Sequence, residues 1–149
     1  MQSKGGFYIT QIKQRSERIF ERMLQQNGLE LSGGQGRILF VLWQQDGLTM
    51  TEISRQTSLA KNTLTVVIDG MVKKGIVLRH QNPNNRREVR IFLTDHAKNL
   101  QEQYEAVSQQ MTDLFYSGFT AQEQKICETY LLRILNTLTE AEAEKEYSP

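Results

Sequence analysis

Residues 49–94 read TMTEISRQTSLAKNTLTVVIDGMVKKGIVLRHQNPNNRREVRIFLT, and the order of signals in this stretch decides the fold. Thr49 with Glu52 three residues on is a capping box. The hydroxyl takes one orphan amide and the carboxylate another, so a short helix opens at Thr49. It ends near Thr57 with Ile53 facing inward, and Ser58-Leu59 fit a tight interhelical turn. The spacing predicts a second helix over residues 61–74. Leu64, Val67, Ile68, Met71 and Val72 recur at i, i+3, i+4, i+7 and i+8, one apolar face. Lys73 and Lys74 suit the negative end of that helix, and Gly75 suits the left-handed position after it.

The opposite face carries Lys61, Asn62, Thr63, Thr65 and Val66, clustered toward the helix N-terminus. A recognition helix presents that end to base edges in the major groove. Lysine can donate to guanine, asparagine can pair with adenine, and a threonine methyl can touch thymine. An ordinary solvated helix face has the same composition. The segment that follows separates the two readings. Residues 77–81 read as a strand, and Val89, Ile91 and Leu93 alternate with Arg90 and Phe92 at strand period. Between them lies a turn-rich loop, Asn82-Pro83-Asn84-Asn85-Arg86-Arg87. A wing of this kind sets Arg86 and Arg87 beside phosphates or into a minor groove.

Charge is concentrated on this module. The chain is nearly neutral at +1, but residues 55–90 hold eight cations against Asp69 and Glu88, a net +6. Residues 101–149 hold three cations against nine acids, a net −6. A basic head on an otherwise acidic chain is the electrostatic footprint of a nucleic-acid binder.

The runs Leu59-Ala60-Lys61-Asn62-Thr63-Leu64-Thr65 and Val72-Lys73-Lys74-Gly75-Ile76-Val77, then Arg86-Arg87 and Leu93-Thr94, resemble MarR-type winged helix-turn-helix transcriptional regulators. The resemblance covers nearly the whole chain. Ala60, Val66 and Asn85 stand where that family often has Ser, Arg and Asp. The resemblance implies a regulator of transcription that dimerises through its N- and C-terminal helices. It also implies a small-molecule inducer, bound between the head and the dimerisation helices. Arg37 and Trp43, with Tyr8 or Phe7, are the candidates for its lining, although Trp43 also reads as plain core.

A length of 149 residues suits one domain, here a winged-helix head over 32–94 with helical extensions over 7–28 and 95–138. The fold class is mainly α with a small β-wing. Helix one is expected over 7–26, with Tyr8, Ile12, Ile19, Phe20, Met23 and Leu24 as its apolar stripe. A second capping box, Ser32-x-x-Gln35, opens helix two through Ile38, Leu39, Leu42 and Trp43. Thr94 caps a long helix ending at Gly118, and Thr120-x-x-Glu123 opens the last one. Residues 141–149 read as a frayed acidic end. The apolar stripes of helix one and of the two C-terminal helices exceed what a small head can cover, so they call for a second copy of the chain. A two-fold dimer sets two recognition helices about 34 Å apart and reads a pseudo-palindromic operator on double-stranded DNA.

Several motifs point nowhere. Leu31-Ser32-Gly33-Gly34-Gln35 spells the signature of transporter ATPases, but the chain lacks the phosphate loop GxxxxGK[ST] and the capping box accounts for the residues. The lone Cys127 forms no internal disulfide and lies among acids that disfavour a thiolate. His80 reads as a wing-strand surface residue and His96 as part of a first helical turn, too few for a metal site. No catalytic constellation, metal or cofactor is expected, nor any membrane span or signal peptide, which places the protein in the cytoplasm. The remaining alternative is a winged-helix module that binds protein rather than specific DNA.

Overall fold

The computed structural model describes residues 2–146. Their order is α1 (Gly5–Gln26), α2 (Gly33–Gln44), β1 (Leu48–Thr49), α3 (Met50–Thr57), α4 (Lys61–Lys73), β2 (Val77–Asn82), β3 (Asn85–Leu93), α5 (Asp95–Phe115) and α6 (Ala121–Glu146). The architecture is mainly α with one small antiparallel sheet, ordered β1-β3-β2. Two compact units divide the chain, the first reaching to Met111 and the second beginning at Thr112.

Local chemistry opens most of the helices. Ser32 accepts from the Gln35 amide while the Gln35 side chain accepts from the Ser32 amide, and Thr49 and Glu52 repeat the exchange at α3. The transporter-like string at 31–35 is therefore a helix cap. Thr94 accepts from the Ala97 amide at 3.2 Å and starts α5. At the end of α4, Gly75 adopts φ +72°, Ile76 N donates to Met71 O at 3.0 Å and Gly75 N donates to Val72 O at 3.0 Å. This paired closure satisfies the last carbonyls and needs a residue free of Cβ strain at position 75.

The core of the first unit gathers the inward faces of these helices. Leu24 of α1, Ile38, Leu39 and Leu42 of α2, Ile53 of α3, Leu64, Ile68 and Met71 of α4, and Ile91 of β3 are fully buried. Val67 and Val72 pack against this cluster from the edge, as the α4 periodicity requires. Strand β1 has only two residues, with Leu48 opposite Ile91 and Thr49 opposite Arg90. It anchors the base of the hairpin beside α3. Two residues show no period, so the Thr49 capping signal is legible in the sequence and its strand pairing is not.

In the second unit, the Thr120–Glu123 box opens α6, with Thr120 N donating to Glu123 Oε1 at 2.9 Å and Glu123 N to Thr120 Oγ1 at 3.1 Å. These bonds hold the Glu123 carboxyl below its ordinary pKa. Helix α6 continues to Glu146. The fraying expected from residue 141 is absent as far as 146, because Ala141, Glu142, Ala143 and Glu144 are strong helix formers. Residues 147–149 lie outside the described residues.

Candidate nucleic-acid interface

The turn between α3 and α4 is built from hydroxyls. Ser58 sits in the left-handed region at φ 60°. Thr57 Oγ1 donates to Ile53 O at 2.6 Å and accepts from Leu59 N at 3.3 Å, while Ser54 Oγ donates to Leu59 O at 2.6 Å. These bonds fix the angle at which α4 leaves. Ala60 occupies its N-cap and supplies no side-chain cap. The first-turn amides are thus left to solvent or to an anion, such as a phosphate oxygen.

Lys61, Asn62, Thr63, Thr65 and Val66 are all exposed, on the side of α4 away from Leu64, Ile68 and Met71. Thr65 Oγ1 donates to Lys61 O at 3.0 Å, so its proton is held by its own helix and its oxygen remains an acceptor. Lower on the same helix, Asp69 pairs with Arg79 of β2. Lys74 turns to the other side and donates to Glu30 O at 2.8 Å and Gln35 Oε1 at 3.1 Å. Not every cation of the basic head is therefore directed at a ligand.

The wing is tighter than the sequence suggests. Strands β2 and β3 run to Asn82 and from Asn85, so only Pro83 and Asn84 lie between them. Arg86 and Arg87 belong to β3, inside a bulge where Gln81 pairs with Val89 but Asn82 pairs with Asn85. Side chains stabilise it. Asn82 Oδ1 accepts from Asn84 N at 3.0 Å, Asn85 Oδ1 accepts from Arg87 N at 3.2 Å, and Gln81 Nε2 donates to Arg86 O at 2.8 Å. Asn85 thus orders the wing through a backbone bond. Glu88 takes a hydrogen bond from Asn82 and an ion pair from Arg90, which hold its carboxyl below its ordinary pKa. Arg90 also donates to Gly47 O at 2.9 Å. With Glu88 engaged by Arg90, Arg86 and Arg87 project as exposed charge at the tip. His80 stands exposed on β2, edge-on to Phe92 at 6.1 Å.

Arg37 and Trp43 both interact with Tyr104, whereas Tyr8 packs beside Phe7. Arg37 bonds to Glu17 of α1 at 3.3 Å. Trp43 donates to Ala97 O at 3.1 Å and its ring lies 5.1 Å from Tyr104, which meets Phe20 edge-on at 5.6 Å. Burial pushes the Tyr104 phenol up to about 12, with the Arg37 charge opposing. Gly36 faces this ring: a Cβ there would lie 2.6 Å from Tyr104 Oη, so the α2–α5 approach admits no side chain. Tyr8 is exposed near the start of α1, beside Phe7. A cleft of about 320 Å³ opens nearer α5, against Leu29, Lys74, Ile76, His96 and Leu100, and none of Arg37, Trp43 and Tyr8 lines it. Among the described residues no group of three or more His, Cys, Asp or Glu is placed to hold a metal ion, and no helix is long and apolar enough to cross a membrane.

Comparison with known proteins bears on this arrangement. Residues 31–89 match the model of the MarR family. The chain is 30% identical over 96 residues to the HTH-type transcriptional regulator TtmR of Methylorubrum extorquens, which takes in 64% of this chain and 48% of that protein. It thus spans about half the length of that relative. It is 28% identical over 131 residues to the multiple antibiotic resistance protein MarR of Escherichia coli, covering 87% of this chain and 90% of the other. A cysteine-mutant MarR from E. coli, solved in complex with operator DNA, superposes with a TM-score of 0.79 at 27% identity, over 87% of this chain and 92% of that one.

Proposed function

We propose that the chain, whose residues 31–89 match the MarR family model, is a winged-helix, DNA-binding transcriptional regulator of that family and acts as a homodimeric repressor of a pseudo-palindromic operator. The observation that carries the reading is the pairing of two exposed groups on one fold. Lys61, Asn62, Thr63 and Thr65 line the outer face of α4, and Arg86 and Arg87 stand at the wing. The helix residues match base-edge chemistry in a major groove. The wing arginines match phosphate or a narrow minor groove.

The dimer is supported by two helices considered separately. Helix α1 exposes Phe7, Tyr8, Ile9, Ile12 and Ile19, and α6 exposes Tyr130, Leu132, Ile134, Leu135 and Leu138. Apolar area of that extent is what a second copy covers. On this reading residues 7–28 and 95–138 form the dimerisation helices around the 32–94 head. Release comes from a small apolar or aromatic anion that favours a dimer with misplaced heads. Arg37 and Trp43 on α2 are its proposed contacts, with Tyr8 reached from another part of the assembly. Such a regulator works beside the DNA, in the cytoplasm.

The deciding experiment is selection of duplexes from a random library by the full-length chain, followed by binding across a salt series. A preferred palindrome bound by two chains, with affinity falling steeply as salt rises, supports the reading. Binding without preference removes the operator. Failure to bind any duplex at low salt leaves the head as a protein-interaction module. The single tryptophan, Trp43, reports the inducer step: aromatic carboxylates that release DNA should also change its fluorescence.

A further inference from the structure

Val66 is the most exposed of the large hydrophobic residues described, at 70%. It lies at the centre of the outward face of α4. Asn62, Val66, Asp69 and Lys73 descend that face at i, i+4, i+7 and i+11, opposite the buried Leu64, Ile68 and Met71. All three of its stripe neighbours, Asn62, Asp69 and Lys73, are polar or charged. A valine in a helix holds essentially one χ1 rotamer, so its methyl groups point in a fixed direction and lose little freedom on contact. It neither donates nor accepts a hydrogen bond, so it reads none of the donor–acceptor pattern of a base edge. The apolar group that a B-form major groove offers is the C5-methyl of thymine.

We propose that Val66 is a specificity residue that packs against a thymine C5-methyl at one position of each half-site. The inference rests on the DNA-reading function proposed above. Charge around the residue fits it. Lys61 precedes it on the helix, and the Arg79 pair neutralises Asp69, whose carboxylate would otherwise repel the backbone one turn below. Asn62 and Val66 then divide the central stripe into a hydrogen-bonding reader and an apolar one.

The test uses the duplex that the full-length chain selects from a random library, with each thymine replaced in turn by deoxyuridine. That change removes a methyl and keeps every hydrogen-bonding group. The wild-type chain should lose about fourfold in affinity at one thymine per half-site, the worth of one buried methyl. Val66→Ala should bind the thymine and uracil forms at that position equally, with its thermal unfolding unchanged because the side chain packs in no core. Discrimination that persists in Val66→Ala, or a wild-type chain indifferent to uracil at every position, overturns the proposal while leaving DNA binding intact. A chain that binds no duplex overturns the reading beneath it, and the proposal with it.

Discussion

Helices α4 and α6 both carry apolar residues at helical spacing, yet they use them in opposite ways. Helix α4 buries Leu64, Ile68 and Met71 completely and turns Lys61, Asn62, Thr63 and Thr65 outward. Among its described side chains helix α6 buries none, and it shows Ile126, Tyr130, Leu131, Leu132, Ile134, Leu135 and Leu138 at 40–58% exposure. One helix has satisfied its apolar face within the chain and holds a polar face ready. The other holds an apolar face ready. On the proposed function, the surplus face of α4 suits a hydrated polyanion and that of α6 another apolar surface.

The contrast can be broken at its strongest point first. Ile68→Ala should cost about 3 kcal/mol in urea unfolding, since it deletes buried core from α4; a loss under 1 kcal/mol would mean that the α4 core is loose. Leu135→Asp with Leu138→Asp should leave the first unit folded and raise the dissociation constant of the proposed dimer about a hundredfold, from the apolar area removed and the charge introduced. Sedimentation equilibrium reads this directly, and an unchanged mass would place the interface elsewhere.

Alkaline pH tests the packing behind α2. The native state raises the Tyr104 pKa to about 12, so it favours the neutral phenol. The stability from that group is whole below its ordinary pKa near 10 and is lost as pH rises through the folded value. The loss should reach about 2 kcal/mol by pH 12, and Tyr104→Phe should remove it from the pH profile of unfolding. A wild-type profile matching that of Tyr104→Phe would show the phenol to be solvated. At the wing, Arg86→Ala with Arg87→Ala should weaken operator binding about tenfold and reduce the salt slope by about 1 per arginine. Full affinity with an unaltered slope would separate the wing from the DNA. The smallest change is Ser58→Gly, which relieves left-handed strain in the α3–α4 turn and should add about 0.5 kcal/mol to stability. A lower melting temperature would show that the Ser58 side chain contributes more than its strain costs.

What the amino-acid order determined by itself was local. The capping boxes at Ser32, Thr49 and Thr120 and the glycine closure after Lys74 were legible because each is completed within a few residues. The inward face of α4 was legible because a helix repeats every 3.6 residues. Candidates on its outer face followed as the remainder, as did the wing arginines from their place in a turn-rich hairpin. Tertiary structure decided what depends on register and distance. The two-residue β1 exists because β3 supplies its partner, and the bulge that draws Arg86 and Arg87 into β3 depends on pairing between Asn82 and Asn85. The Asp69–Arg79 and Glu88–Arg90 pairs, and the turn of Lys74 toward Glu30, sort the cations of one basic stretch into those held by the fold and those offered outward. Charge can be counted along a chain, but its availability depends on which acceptors the fold brings within about 3 Å of each donor.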